Sequence, residues 1–164
     1  MHTVYLLLGS NLGNSISVLK DACQKIDSGL GKVSLQSSFY KSPPWGFDHE
    51  NDFVNQVLEL KTSFSPHDLL EGCLSIEKLL GRERNESNCY VARIIDIDIL
   101  LFDNEVLHTE ELQIPHPRMH LRRFTLLPLV EVCDTIIHPV YKKTVGQLLL
   151  ECKDSSSVQL MPSS

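Results

Sequence analysis

The chain has 164 residues, 42% of them hydrophobic and 22% charged, with a formal net charge of −6. This suits one globular domain with a core of useful size, and it excludes two classes: there is no basic block for sequence-independent nucleic-acid binding, and no apolar run long enough to span a bilayer. Met1 runs into a strand pattern without a charged leader, and Cys23, Cys73, Cys89, Cys133 and Cys152 are odd in number and lack a Cys-x-x-Cys pair, so reduced thiols in a cytoplasmic protein are expected.

Thr3 to Leu8 reads as a first strand, closed by Gly9-Ser10-Asn11-Leu12-Gly13-Asn14, a dense set of turn residues. A helix is predicted from Ser15 to about Asp27, with Ile16, Leu19, Ala22, Cys23 and Ile26 at helical spacing. A strand, turn and helix start can hold a phosphate on backbone amides, but the lysine and Ser/Thr of a P-loop are missing, and a plain turn with a cap explains the residues as well. Val33 to Lys41 alternates as a strand and stops at Ser42-Pro43-Pro44-Trp45-Gly46-Phe47. Two prolines stiffen this aromatic loop, which serves either as a wall for a planar ligand or as a hydrophobic plug.

Phe53 to Lys61 is the next strand, with Phe53, Asn55, Val57 and Glu59 on one face. An amide beside an aromatic ring suits a flat heterocycle, although a sheet asparagine more often bonds a neighbour. Ser65-Pro66 opens a helix with the stripe Leu69, Leu70, Cys73, Ile76, Leu79 and Leu80, and Gly81 ends it. Glu77 lies off the stripe, either solvated or partnered. Arg82 to Asn88 is polar and unpatterned: a lid, or a solvated loop whose arginines pair with Glu83 and Glu86.

Arg93 to Phe102 is a β-branched apolar run interrupted by Asp96 and Asp98. On a strand these two share a face, with Cα atoms about 6.5 Å apart. Two carboxylates in an apolar run are costly without a positive partner, so they fit Mg²⁺ ligation; the alternative is a solvated edge. Val106 to His108 is expected to return as a hairpin with Ile94–Phe102. Ile114 to Phe124 holds His116, His120, Arg118, Arg122 and Arg123, a concentrated cationic patch in an acidic protein. Phe124 to Val132 reads as helical despite Pro128, and Thr144 to Cys152 as a short helix. The serine-rich stretch 155–164 is expected to lack fixed structure, leaving a domain over 1–154.

A carboxylate pair with Arg82, Arg84, Arg93, Arg118, Arg122 and His116 is equipment for polyphosphate chemistry, and Phe53, Asn55, Trp45 and Phe124 offer a flat-ring site. Together they indicate a kinase-like enzyme for a small heterocycle. Three sets of motifs resemble the hydroxymethyldihydropterin pyrophosphokinases of folate biosynthesis. These are Gly9-Ser10-Asn11-Leu12-Gly13 with Ser42-Pro43-Pro44 and Phe53-Val54-Asn55, then Glu77 with Gly81-Arg82, and then Arg93-x-x-Asp96-x-Asp98 with Pro115-His116-Pro117-Arg118-Met119.

The resemblance implies an α+β fold with a ferredoxin-like βαββαβ core, mostly antiparallel. It implies transfer of the βγ-pyrophosphoryl group of ATP to the pterin hydroxymethyl oxygen. By the same resemblance Asp96 and Asp98 would bind two Mg²⁺ ions and act with Arg82 and Arg93 in catalysis. Phe53 and Phe124 would sandwich the pterin. The Ser42, Pro43, Pro44, Trp45 and Gly46 loop, with Asn55 and Asp96, would hold its edge. Glu77, Arg84, Arg93, Ile99, His116, Arg118 and Arg122 would contact ATP. A monomer is implied, with small-molecule substrates and neither nucleic acid nor membrane as partner.

Departures from the family pattern are Phe53 for a frequent Tyr, Leu74 for a Gln, Tyr90-Val91-Ala92 for Trp-Gly-Pro, and Arg123 for a small residue. A two-metal phosphodiesterase or nuclease would share the aspartates but leave the stacking pair and the Ser-Pro-Pro loop unexplained. A non-catalytic ferredoxin-like module would bind its small ligand without Mg²⁺ and without turnover.

Overall fold

The computed structural model describes residues 1–12, 14–44, 52–81 and 94–162. Strand β1 (His2–Ser10) leads into helix α1 (Ser15–Gly29). Asn14 caps that helix by accepting the Ser17 amide at 3.1 Å, and Leu19, Ala22, Cys23 and Ile26 are buried, as their spacing predicts. The expected strand over 33–41 is two strands, β2 (Lys32–Gln36) and β3 (Tyr40–Ser42). Ser37 separates them: its amide donates to the Val57 carbonyl, and its hydroxyl accepts the Val57 amide in place of a backbone carbonyl. Strand β4 (Phe53–Thr62) pairs with both.

Helix α2 (Pro66–Leu79) starts on the Ser65 cap with proline at its first position, and Gly81 leaves it at φ +97°, which suits a residue without a Cβ. Strand β5 (Asp96–Phe102) follows, then β6 (Leu107–His108), β7 (Gln113–Ile114), a 3-10 turn (Met119–Leu121), α3 (Arg123–Cys133), α4 (Val145–Glu151) and β8 (Gln159–Leu160).

The main sheet runs β5-β1-β4-β3-β8, with β2 also on β4, and every pairing is antiparallel. With β2 and β3 counted as one split strand, β1 to β5 give the βαββαβ order of a ferredoxin-like α+β fold. Helices α1 and α2 cover one face over Val4, Leu6, Leu8, Leu58, Ile97 and Ile99. Helices α3 and α4 cover the other over Tyr5, Leu7, Val57, Leu100 and Leu101.

The β1–β5 ladder slips by one residue. Tyr5 faces Leu101 but Leu6 faces Ile99, so Leu100 is an inserted bulge residue.

Two expectations need correction or completion. Val106–His108 does not return along β5: β6 pairs with β7 in a separate two-stranded sheet, Leu107 opposite Ile114 and His108 opposite Gln113. Asp103 explains the turn-away. It sits at φ 49°, and its carboxylate bonds back to β1, accepting the Thr3 amide and contacting His2 Nδ1. Gln159–Leu160, within the stretch expected to lack structure, pairs with β3, Leu160 opposite Tyr40 and Gln159 opposite Lys41. Among the described residues no helix is long and apolar enough to cross a membrane. Cys23, Cys73, Cys133 and Cys152 are free thiols, and Cys89 lies outside the described residues.

Candidate active site

Register alone gathers four strands at one end of the sheet. Gly9 on β1 is opposite Asn55 on β4 and Asp96 on β5, and Tyr40 on β3 is opposite Asn55. Residues directly opposite in an antiparallel ladder project to the same face, so Asp96, Gly9, Asn55 and Tyr40 form one row across the sheet. Asp98, Leu7 and Val57 form the next row inward, and Phe53 with Ser42 the next row outward. Leu7 and Val57 are buried in the core beneath α3, whereas Asp96, Asp98 and Phe53 are half-buried. The face therefore changes from apolar core to polar site within one strand repeat.

The row is tightly built. Asn55 is buried, and its Nδ2 donates to Ser42 Oγ at 2.8 Å and to the Tyr40 carbonyl at 3.3 Å. A Cβ at Gly9 would lie 3.4 Å from Asn55 Oδ1 and 3.7 Å from the Phe53 ring, ordinary contact distances that place amide and ring directly over β1. Pro43 and Pro44 continue from Ser42, half-buried.

Glu77 resolves its two readings in favour of a partner. It is 2% exposed, and its Oε2 accepts the amide of Ile97, the residue between Asp96 and Asp98, at 2.8 Å. Strand β5 is the edge of the sheet, and a carboxylate from α2 closes one of its amides.

The opposite wall comes from the segment after β7. Pro115 and Pro117 flank His116, whose amide donates to the carbonyl of the bulge residue Leu100 at 2.9 Å. Its Nδ1 accepts the Arg118 amide at 3.2 Å, which assigns the ring proton to Nε2. Burial first, then the charges of Arg122 and Arg118, push its pKa down to about 4 against the opposing pull of Asp96. His116 is therefore a neutral donor at physiological pH.

Between β5 and this segment lies a cleft of about 590 Å³. Leu70, Ile97, Ile99 and Leu112 give it an apolar side, and Asp98, His116, Arg118 and Arg122 a polar one. Helix α3 starts at its rim, with the Arg122 guanidinium carbon 5.6 Å from the Phe124 ring centroid, over the ring, and Phe124 packed on the second core.

The structure thus brings Asp98, Ile99, His116, Arg118 and Arg122 to one cleft, with Ser42, Phe53, Asn55 and Asp96 in the adjoining rows. Trp45, Gly46, Arg82, Arg84 and Arg93 lie outside the described residues. Leu70 and Leu112 were not legible as site residues. Leu70 belongs to the helical stripe and signals core; only its half-buried place at the edge of α2 turns it toward the cleft. Among the described residues no group of three or more His, Cys, Asp or Glu could hold a metal. Asp96 and Asp98 are a pair of hard-oxygen donors on one face, which fits magnesium ligation completed by phosphate and water oxygens.

The model of the family described as 7,8-dihydro-6-hydroxymethylpterin-pyrophosphokinase matches residues 5–134. Proteins named 2-amino-4-hydroxy-6-hydroxymethyldihydropteridine pyrophosphokinase are similar over most of the chain. The one from Aquifex aeolicus is 43% identical over 147 residues, covering 90% of each chain. That from Haemophilus influenzae is 37% identical over 164 residues, covering 99% of this chain and all of its own.

Among solved structures, wild-type HPPK-DHPS of Plasmodium falciparum superposes with a TM-score of 0.75 at 18% identity over 92% of this chain. An HPPK-DHPS in complex with substrates does so with a TM-score of 0.75 at 15% identity. The chain spans 44% and 43% of those longer proteins, and the likeness bears on fold alone.

Proposed function

The chain belongs to the 7,8-dihydro-6-hydroxymethylpterin-pyrophosphokinase family, and we propose how its residues carry out the transfer of pyrophosphate from ATP to the hydroxymethyl group of the dihydropterin in folate biosynthesis. The supporting observation is the row of Asp96, Gly9 and Asn55 at the sheet end, beside a cleft walled by His116 and Arg122. The hydroxymethyl oxygen bonds to the β-phosphorus, the bond from that phosphorus to the α,β-bridging oxygen breaks, and AMP leaves.

In this reading Phe53 and Phe124 stack on the two faces of the pterin. Asn55, oriented by Ser42 and Tyr40, reads its edge with the Ser42–Gly46 loop. The adenine and ribose of ATP lie on the apolar side of the cleft at Ile99. The phosphates meet His116 Nε2–H, Arg118 and Arg122, with Glu77 holding β5 in place behind them. Arg82, Arg84 and Arg93 supply positive charge that would neutralise the phosphates and the bridging oxygen. Asp96 and Asp98 are the residues that would hold two Mg²⁺ ions. Bound there, the ions would neutralise polyphosphate charge and acidify the attacking hydroxyl. Because chemistry of this kind rests on positioning, the residues' contribution is to set hydroxyl and β-phosphorus in line. The same reading takes residues 1–154 as the catalytic domain, acting as a monomer in the cytoplasm.

The test is AMP release. AMP is expected only when pterin, ATP and Mg²⁺ are all present, EDTA should stop it, and Asp98→Ala should lower kcat/KM by at least about a hundredfold. Full activity of the Asp98→Ala variant would overturn the metal assignment, and ADP in place of AMP would overturn the transfer chemistry.

A further inference from the structure

We propose that Asp154 is a positioning residue for the transfer: reaching from the segment after α4, its carboxylate holds the first amide of α3 and with it the two side chains on either side, Arg122 and Phe124. This rests on the substrate contacts proposed above for those two residues.

Helix α3 has Arg122 at its N-cap and no side-chain cap of its own. The first amides of a helix have no intrahelical acceptor and need one from elsewhere. Asp154 Oδ2 accepts the Arg123 amide at 2.9 Å, across 31 residues of sequence. Its other oxygen accepts the Ser156 amide at 2.9 Å, so the carboxylate is itself held in place. A negative group bonded at this end of a helix is charge-assisted and complements the helix dipole. Burial alone would raise the Asp154 pKa, but the Arg123 and Ser156 amides and the charge of Arg123 hold it below the usual carboxylate range. Arg123, one of the departures from the family pattern, thus stands against a carboxylate that its charge attracts.

The same segment grips the other side of the pterin site. Beyond Asp154 it forms β8, which pairs with Tyr40 and Lys41, and the Met161 amide donates to the Phe39 carbonyl at 2.9 Å. Ser42, the next residue on β3, accepts the Asn55 side chain. One stretch of chain therefore ties down the start of α3, with Phe124, and the strand that aims Asn55. It lies beyond the residues that the family model matches.

The experiment measures equilibrium binding of 6-hydroxymethylpterin, by its own fluorescence, with Mg²⁺ and a non-hydrolysable ATP analogue. The proteins are wild type, Asp154→Ala, Asp154→Asn, Asp103→Ala and Phe124→Ala. Loss of a helix cap predicts that Asp154→Ala weakens pterin binding about fivefold. Asp154→Asn keeps an acceptor oxygen and should recover most of that loss. Asp103 also accepts a backbone amide, that of Thr3, but at the far end of β1 and β5. Asp103→Ala should therefore lower the melting temperature similarly while leaving pterin affinity unchanged.

If Phe124→Ala weakens binding while Asp154→Ala matches wild type, or if Asp154→Ala and Asp103→Ala weaken it equally, the proposal is overturned. An unchanged affinity in Phe124→Ala would instead sink the stacking reading, and the proposal with it. Should Asp154→Ala not fold, Asp154→Asn and Ser156→Pro, which removes the amide holding the carboxylate, decide the matter. Wild-type affinity in both overturns the proposal, and weakened binding in Ser156→Pro supports it.

Discussion

At the residue scale, Glu77 shows what a buried carboxylate does for the strand that carries the two aspartates. Its Oε2 is the acceptor for the Ile97 amide, and Ile97 is the residue between the two aspartates. Removing the acceptor leaves a buried amide unpaired, which costs more than the bond itself contributes. Glu77→Ala should therefore lower unfolding free energy by about 1–3 kcal/mol in urea titration, whereas Glu77→Gln, which keeps an acceptor oxygen, should lose less than half of that. Equal losses in the two variants would mean that the charge, not the acceptor, matters. The sequence marks Glu77 only as a polar residue off an apolar stripe. Its partner lies on a strand 20 residues on, and no local pattern names it.

At the scale of elements, the alternation of Phe53, Asn55, Val57 and Glu59 makes one face of β4 legible, and that face carries the ring and the amide. Alternation states which residues share a face but not which strand lies beside them, and pairing is a matter of topology. For this reason alternation is consistent with a return of Val106–His108 onto β5, whereas the strand pairs with β7, and β8 on β3 has no local signal at all.

Element-to-element ties are equally hidden. Glu131 on α3 accepts the Ser38 amide at 2.9 Å, the Ser38 hydroxyl at 2.8 Å and the Tyr40 hydroxyl at 2.5 Å, joining α3 to the β2–β3 connection. It is exposed, so screening limits its worth. Glu131→Ala should cost about 1 kcal/mol in urea midpoint analysis, and a loss near zero would show that solvent replaces all three bonds.

At the scale of the whole molecule, stability should fall in acid over two overlapping ranges. His116 and His138 have pKa values pushed down to about 4, chiefly by burial. The unfolded chain takes up their protons near pH 6.5 and the folded chain only near 4, so their contribution is full above about pH 6.5 and declines between those values. Glu131 and Glu59 come next. Burial pushes each upward, but the hydrogen bonds from Tyr40 and Ser38, and from Tyr5 and Ser34, outweigh it and hold both below the usual range. Their contribution is present above the unfolded carboxylate pKa and is lost as pH falls through the folded one.

The urea midpoint should thus drop steadily from about pH 6.5 to below pH 4. His138 Nδ1 accepts the amides of Val140 and Tyr141, a role that an asparagine oxygen can fill without titrating. His138→Asn should flatten the upper part of the curve, and an unaltered slope would remove His138 from the account.

The bulge at Leu100 has one more consequence. Along β5 the even-numbered positions Asp96 and Asp98 share the face of Leu7 and Gly9, and past Leu100 the odd-numbered Leu101 looks to that same face, into the core under α3. The extra residue reverses the parity of the strand partway along it. Without the slip Leu100 would sit opposite Tyr5, Leu101 would turn toward α1 and α2 opposite Val4, and Phe102 would move from its place opposite Val4 to one opposite Thr3. The inserted residue acts as a phase shifter between two halves of one strand, and its carbonyl, by receiving the His116 amide, sets the far wall of the cleft to the same phase.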